Sequence, residues 1–226
     1  MGDPAGIGPD IILASWSVRK QRALHPFAVY GNPKVLRERA RALGLQAAVA
    51  EIKGIEEAGQ VFADALPVCL PAAGLAHAKS SEDAAIIAAI EAATAAVAGA
   101  EALALVTGPI AKRSLQAVRL EYPGHTAFLG HLASKHSHGR RFRPVMMMVA
   151  EELKVVPATV HIPLAAVSAA LSTAMLAETL RITAAALVED FGIGKPRIAV
   201  AGLNPHAGEG GLIGSEEVSI IAPAIA

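Results

Sequence analysis

His161 and His206 are the two side chains whose positions point most directly to chemistry. Each follows an apolar run, 154–160 for the first and 197–201 for the second, and each has a proline nearby, Pro163 or Pro205. In open α/β sheets, ligand sites gather beyond the carboxyl ends of strands, so two imidazoles there can ligate a divalent metal. A catalytic metal site ordinarily takes three protein ligands and keeps one position open. Spacing offers only two, and a pair of hydrogen-bonded loop histidines remains the competing reading. A second cluster is Tyr122-Pro-Gly-His-Thr126. His125 could donate to a phosphate or carboxylate, or exchange a proton near neutral pH, beside the Thr126 hydroxyl. A histidine without a role in a Pro-Gly turn fits the same residues.

The glycine-rich loops are less decisive. Residues 204–211 (NPHAGEGG) look like an anion nest. Glu216 and Glu217 follow in the first turn of the next helix and would repel a phosphate, which assigns the loop to metal and substrate shaping. The opening loop, Gly2 to Pro9, precedes a helix whose free N–H groups could face an anion. Spacing alone favours an ordinary turn and cap. Lys112 could reach a substrate anion or simply face solvent, and the basic run from Lys135 to Arg143, with His136 and His138, reads as a solvated loop. His25, His77 and His131 have no partner by spacing, and Met146, Met147 and Met148 read as core filler. Gly6-Ile-Gly8 begins like a dinucleotide fingerprint, but Ile11 stands where the third glycine belongs. Phosphate-loop, nucleophile-elbow and HExxH motifs do not occur.

Composition narrows the class. Among 226 residues, 53% are apolar and 18% charged, which excludes intrinsic disorder. Lys+Arg and Asp+Glu are 20 each, so no global basic field exists to hold nucleic acid or an anionic membrane. The single cysteine, Cys69, excludes an intrachain disulfide framework and a cysteine zinc cluster, and fits a reducing compartment. The start, MGDPAGIGPD, has neither the basic nor the apolar region of a signal peptide. The longest apolar stretch, Ala84 to Ala111, is broken by Glu91, Gly99, Glu101 and Gly108, and reads as a buried helix and strand rather than a membrane span. A cytoplasmic location is expected, with neither nucleic-acid nor membrane partners.

The elements that must position these residues alternate. Strands are expected at 27–30, 47–52, 102–106, 144–150, 154–160 and 197–201. Helices are expected at 11–23, 33–43, 82–98 (with Ser80 or Ser81 as cap), 164–191 and after Ser215. Continuous apolar strands alternating with helices argue for an α/β fold with both sheet faces covered. A boundary falls between Ile110 and Tyr122, dividing the chain into 1–121 and 122–226.

Six segments resemble one family in order along nearly the whole chain: GDPAGIGPD (2–10), VTGPIAK (106–112), YPGHT (122–126), MMMVAEELKV (146–155), HIPL (161–164) and GLNPHAGEGG (202–211). The family is the 4-hydroxythreonine-4-phosphate dehydrogenases of vitamin B6 biosynthesis, with their paralogues. The resemblance implies a two-domain α/β/α fold like isocitrate and isopropylmalate dehydrogenases. It implies a homodimer that shares its metal site between subunits. It also implies NAD(P)-dependent oxidation of the secondary alcohol of 4-phosphooxy-L-threonine, followed by decarboxylation to 3-amino-2-oxopropyl phosphate, in pyridoxal phosphate biosynthesis. By the same resemblance, His125 and Thr126 contact the small phosphorylated substrate, while His161 and His206 hold a divalent metal (zinc, magnesium or cobalt). No residue is singled out for the catalytic role or for holding the nicotinamide cofactor.

The chain departs from the family pattern at Ala127, where a glutamate is usual, and mildly at Asp10. Against the family, both ends read as incomplete: Met1 aligns inside the first motif, and the third metal histidine would fall beyond Ala226. Two alternatives follow: a paralogous dehydrogenase acting on phosphothreonate or an aromatic cis-dihydrodiol carboxylate, or a truncated, non-catalytic remnant.

Overall fold

The computed structural model describes residues 1–71, 82–110, 122, 124–137 and 142–226. They form two compact units, Met1–Pro144 and Val145–Ala226. The domain boundary expected at 121/122 abuts residues 111–121, which lie outside the described residues, as do Ser80, Ser81, His77, Lys112 and His138. That boundary stays a proposal.

The first unit is α/β. Helix α1 (Gly8–Ser17) leads to strand β1 (Val29–Tyr30), helix α2 (Pro33–Ala42), strand β2 (Val49–Ile52), the short helix α3 (Ala58–Val61) and strand β3 (Leu66–Cys69). The three strands form a parallel sheet in the order β1-β3-β2, with Val29 opposite Val68 and Ala50 opposite Pro67. β3 is central and wholly buried, Cys69 included. Burial pushes the Cys69 thiol up to about 11. Sequence reading missed β3 because Pro67 interrupts its apolar run, and proline demotes a strand. The sheet tolerates it because β1 pairs only with Val68 and Cys69, so at the level of Pro67 only β2 is opposite.

Leu13 and Trp16 of α1, Leu36 and Ala40 of α2, and Val29, Phe62, Leu66 and Val68 make the core. The Trp16 indole N–H donates to the Phe62 carbonyl at 3.0 Å, which satisfies its one polar atom. Asn32 caps α2 by accepting from the Lys34 N–H. Across the two helices Arg39 donates two hydrogen bonds to the Asp10 carboxylate, at 2.7 and 2.5 Å, and these hold that carboxyl below the usual range. Helix α4 (Glu82–Ala98) packs through Ile86 and Ile90 against Phe128 and Leu132 of helix α5 (His125–Lys135), which places α5 in the first unit.

The opening loop folds onto the segment after α4. Asp3 N–H donates to the Pro109 carbonyl at 3.0 Å, and the Met1 amine donates to the Tyr30 carbonyl on the edge strand. Gly8 and Gly108 are required there, since a Cβ on either would lie 2.5 Å from the Met1 carbonyl oxygen.

In the second unit, strands β4 (Met148–Val149) and β5 (Lys154–Val155) make a two-residue antiparallel hairpin. A short helix, α6 (Val167–Ala170), precedes the long helix α7 (Thr173–Glu189), whose N-cap Ser172 accepts from the Met175 N–H. It ends before Gly192, which takes φ of 67°. Leu176, Thr179, Thr183 and Leu187 are buried, and each threonine donates back to a carbonyl one turn earlier. An apolar groove of about 810 Å³ runs along this face, against Val155, Ile198 and Val200. After residues 207–211, a π-helical turn (Glu217–Ile221) continues into α8 (Ala222–Ile225). It carries no side-chain cap, contrary to the cap expected from Ser215.

Four expected strands are corrected. Residues 102–106 and 197–201 are not strands, and 144–150 and 154–160 contribute only the hairpin. Leu103 is fully exposed and Val106 nearly so. An apolar run becomes a parallel strand only with neighbours to complete its ladder, and the described residues offer none at these positions.

Candidate functional site

His125 is the first residue of α5. The preceding Gly124 has no side chain to cap the helix, so the first-turn N–H groups receive no side-chain partner. The His125 Nε2 is buried and has no hydrogen-bond partner among the described residues. Burial lowers its pKa from the ordinary histidine value, so the ring is neutral at pH 7. Thr126 beside it is exposed. Tyr122 stacks at tilted angles on Phe128, 5.5 Å away, and on His131, 4.9 Å away, which gives His131 a structural partner that spacing did not reveal.

The second unit carries His161 and His206, both exposed. His161 has φ of 58°, an uncommon conformation for a side chain of this size. His206 opens a turn in which Ala207, Gly208, Glu209, Gly210 and Gly211 all have positive φ. Left-handed backbone costs an L-residue roughly 1–2 kcal/mol, and Ala207 and Glu209 both bear it. Strain of this kind clusters at working sites.

The Asn204 carboxamide accepts from the His206 N–H at 2.9 Å, and the Ala207 N–H donates to the Asn204 carbonyl. From the next helical segment, the Glu217 carboxylate accepts the Leu203 N–H at 2.8 Å. Its second oxygen is buried without a hydrogen-bond partner, 2.7 Å from where a Cβ on Gly208 would stand. The His206 Nδ1 lies 2.9 Å from a Glu209 carboxylate oxygen. Glu216 instead accepts from the Ser168 hydroxyl at 2.5 Å, which holds its carboxyl below the usual range. Two carboxylates, of Glu209 and Glu217, thus line the loop itself.

His161 and His206 each offer an imidazole donor of the type that binds divalent metals. Both imidazoles are exposed, and at His206 the nitrogen not facing Glu209 is uncommitted. Among the described residues no group of three or more His, Cys, Asp and Glu side chains gathers as a metal centre. Sequence reading did not single out Glu209, and it placed Glu217 in a first helical turn without its Leu203 partner. The three-residue spacing from His206 was a usable signal for the first, and nothing in the sequence pairs the second with Leu203.

The family model described as pyridoxal phosphate biosynthetic protein PdxA matches residues 22–226. A relative from Xanthobacter autotrophicus, named 4-hydroxythreonine-4-phosphate dehydrogenase, is 44% identical over all of this chain and 65% of its own length. One of the same name from Erythrobacter litoralis is 45% identical over all of this chain and 67% of its own. The chain therefore spans about two thirds of the curated relatives it matches. A crystal structure of a 4-hydroxythreonine-4-phosphate dehydrogenase from Burkholderia phymatum matches the whole chain with a TM-score of 0.79 at 30% identity, and covers 68% of that chain. A terephthalate 1,2-cis-dihydrodiol dehydrogenase from Burkholderia xenovorans matches with a TM-score of 0.57 at 25% identity, over 99% of this chain and 66% of that one. With a parallel α/β sheet, a histidine-bearing strained loop and a family match over residues 22–226, the chain belongs to the PdxA family of pyridoxal phosphate biosynthetic proteins.

Proposed function

We propose that this protein performs the NAD(P)-dependent oxidation of 4-phosphooxy-L-threonine, with loss of CO₂ to give 3-amino-2-oxopropyl phosphate, in pyridoxal phosphate biosynthesis. The observation that carries this reading is the identity of more than two fifths, over its whole length, to relatives named for that substrate. The paralogous reading, a cis-dihydrodiol dehydrogenase, draws on a weaker structural likeness. The isocitrate dehydrogenase-like two-domain plan, the homodimer with its shared metal site and a cytoplasmic location belong to the same proposal.

In this reading His161 and His206 hold a divalent metal, which supplies Lewis acidity toward the substrate's alcohol and ketone oxygens. His125 and Thr126 bind substrate. The neutral His125 ring, with Nε2 unpartnered, is ready to hydrogen-bond a substrate oxygen. The uncapped start of α5 offers backbone N–H groups to an anionic substituent beside it. A nicotinamide, when bound, would supply the hydride acceptor for the alcohol, with the hydroxyl proton released, and the β-keto acid so formed would lose CO₂.

The test is formation of reduced nicotinamide by the 226-residue chain with 4-phosphooxy-L-threonine. Turnover that is competed by inorganic pyrophosphate, and lowered about 100-fold or more by His206→Ala, is the expected result. Turnover of an aromatic cis-dihydrodiol carboxylate instead, without competition by pyrophosphate, would replace this reading with the paralogous one. No turnover of either substrate would favour the non-catalytic remnant.

A further inference from the structure

Glu216 and Glu217 are neighbours in sequence, yet their side chains serve different segments. Successive residues on a helix point about 100° apart, so two adjacent side chains at the start of the π-helical turn can address separate parts of the second unit. The Glu216 carboxylate accepts from the Ser168 hydroxyl of α6 at 2.5 Å, and that hydrogen bond holds its carboxyl below the usual range. Ser168 lies in the segment that follows His161, which is wound into turns: the Ala166 N–H donates to the Pro163 carbonyl at 2.9 Å, just ahead of α6. The Glu217 carboxylate serves the other histidine's loop. One oxygen accepts the Leu203 N–H at 2.8 Å, and the other is buried beside Gly208 with no hydrogen-bond partner among the described residues. Leu203 and Gly208 stand on either side of His206 in the chain, so one side chain meets the loop at both of its shoulders. The turn that carries the two glutamates is itself tied down, since the Thr173 hydroxyl donates to the Ile220 carbonyl at 3.2 Å.

We infer that Glu216 and Glu217 are positioning residues that together brace the loop bearing His206 against the segment that follows His161. Among the described residues no hydrogen bond or ion pair runs directly between 156–163 and 203–211, so the two adjacent acids are the polar link between these parts of the chain. The loop needs an outside hold because Ala207 and Glu209 both take positive φ, which disfavours its conformation when left to itself. A carboxylate suits both contacts because it accepts hydrogen bonds and its charge strengthens them. Glutamine keeps an acceptor oxygen of the same reach, and alanine keeps none. The brace rests for its purpose on the reading of His161 and His206 as parts of one site. Its geometry is tested without substrate or metal, so a failure of turnover and a failure of the brace are separate results.

The experiment is hydrogen exchange of the 226-residue chain, read by mass spectrometry on peptic peptides spanning 161–171, 203–211 and, as the control within the same unit, 173–189. Wild type is compared with Ser168→Ala, Glu216→Gln, Glu216→Ala, Glu217→Gln and Glu217→Ala. We expect Glu217→Ala to speed exchange in 203–211 about 10-fold, and Glu217→Gln to stay close to wild type. Ser168→Ala and Glu216→Ala remove the far end of the brace. Both should speed exchange in 203–211 about 3-fold while 173–189 stays unchanged, with Glu216→Gln close to wild type. A purely local hydrogen bond at Ser168 would move 161–171 alone. Unchanged exchange in 203–211 for Ser168→Ala therefore overturns the brace, and so does an acceleration there no greater than in 173–189. Glutamine variants that exchange as fast as the alanine ones overturn the acceptor role. Ser168→Ala deletes one hydroxyl from an exposed residue, so it decides the matter even where a glutamate variant loosens the whole unit.

Discussion

Gly208 shows how narrowly the His206 loop is built. It combines φ of 71° with a Cβ position 2.7 Å from both the Glu217 carboxylate and the Gly214 carbonyl. Gly208→Ala should therefore lose about 2 kcal/mol or more of stability, measured as a lowered urea midpoint. A midpoint equal to wild type would show that the loop is free to rearrange. At this scale the sequence was informative about residue types and poor about partners. His206 and its motif stand out by position after an apolar run. That Glu217 folds back onto the Leu203 N–H could not be read, because a glutamate in a first helical turn already has a sufficient explanation in the helix dipole. The same holds for Gly8 and Gly108, which look like turn residues until Met1 is seen between them.

Among the elements, local signals worked where the element carries its own caps and turns. Pro33–Ala42 has Asn32 before it and Gly44 after it, Glu82–Ala98 is a long alanine-rich run, and Thr173–Glu189 ends before a glycine, and all three are helices in the structure. Strands depend on neighbours distant in sequence, so 102–106 and 197–201 were expected and are absent, while β3 was overlooked for its proline. The edge of the parallel sheet also yields a pH effect. The Met1 amine donates to Tyr30 on the outer strand, and burial lowers its pKa from 8.0 to about 6. A base whose folded-state pKa is depressed adds stability in its neutral form, fully present above the unfolded value and lost as pH falls through the folded one. In the 226-residue chain the first unit should thus be more stable at pH 8 than at pH 6, by up to about 2 kcal/mol. Acetylating the terminal amine, which removes the charge, should flatten that dependence. Urea titrations of both forms at the two pH values decide it, and parallel pH profiles would reject the assignment.

For the molecule as a whole, the family could be read from six motifs spread along the chain, and the match over residues 22–226 agrees. What the motifs could not convey is how much apolar surface the described residues leave open. Leu103 and Val106 are almost fully exposed, as are Leu164 and Leu212, and the groove along α7 adds a further apolar face. Surfaces of this extent associate in water. The 226-residue chain should bind a hydrophobic dye and elute at a size that grows with concentration. A monomer that unfolds cooperatively and ignores the dye would contradict this. No single helix among the described residues is long and apolar enough to cross a membrane.

The burial of Cys69 has a practical consequence. The native chain's one thiol lies on the central strand and stays protonated near neutral pH, so it is silent to maleimide reagents, which need an accessible thiolate. The wild-type sequence can therefore receive engineered surface cysteines, one on each compact unit, without first removing its own. Fluorophores attached to such a pair would report the separation of the two units by energy transfer, with and without metal, substrate and nicotinamide cofactor.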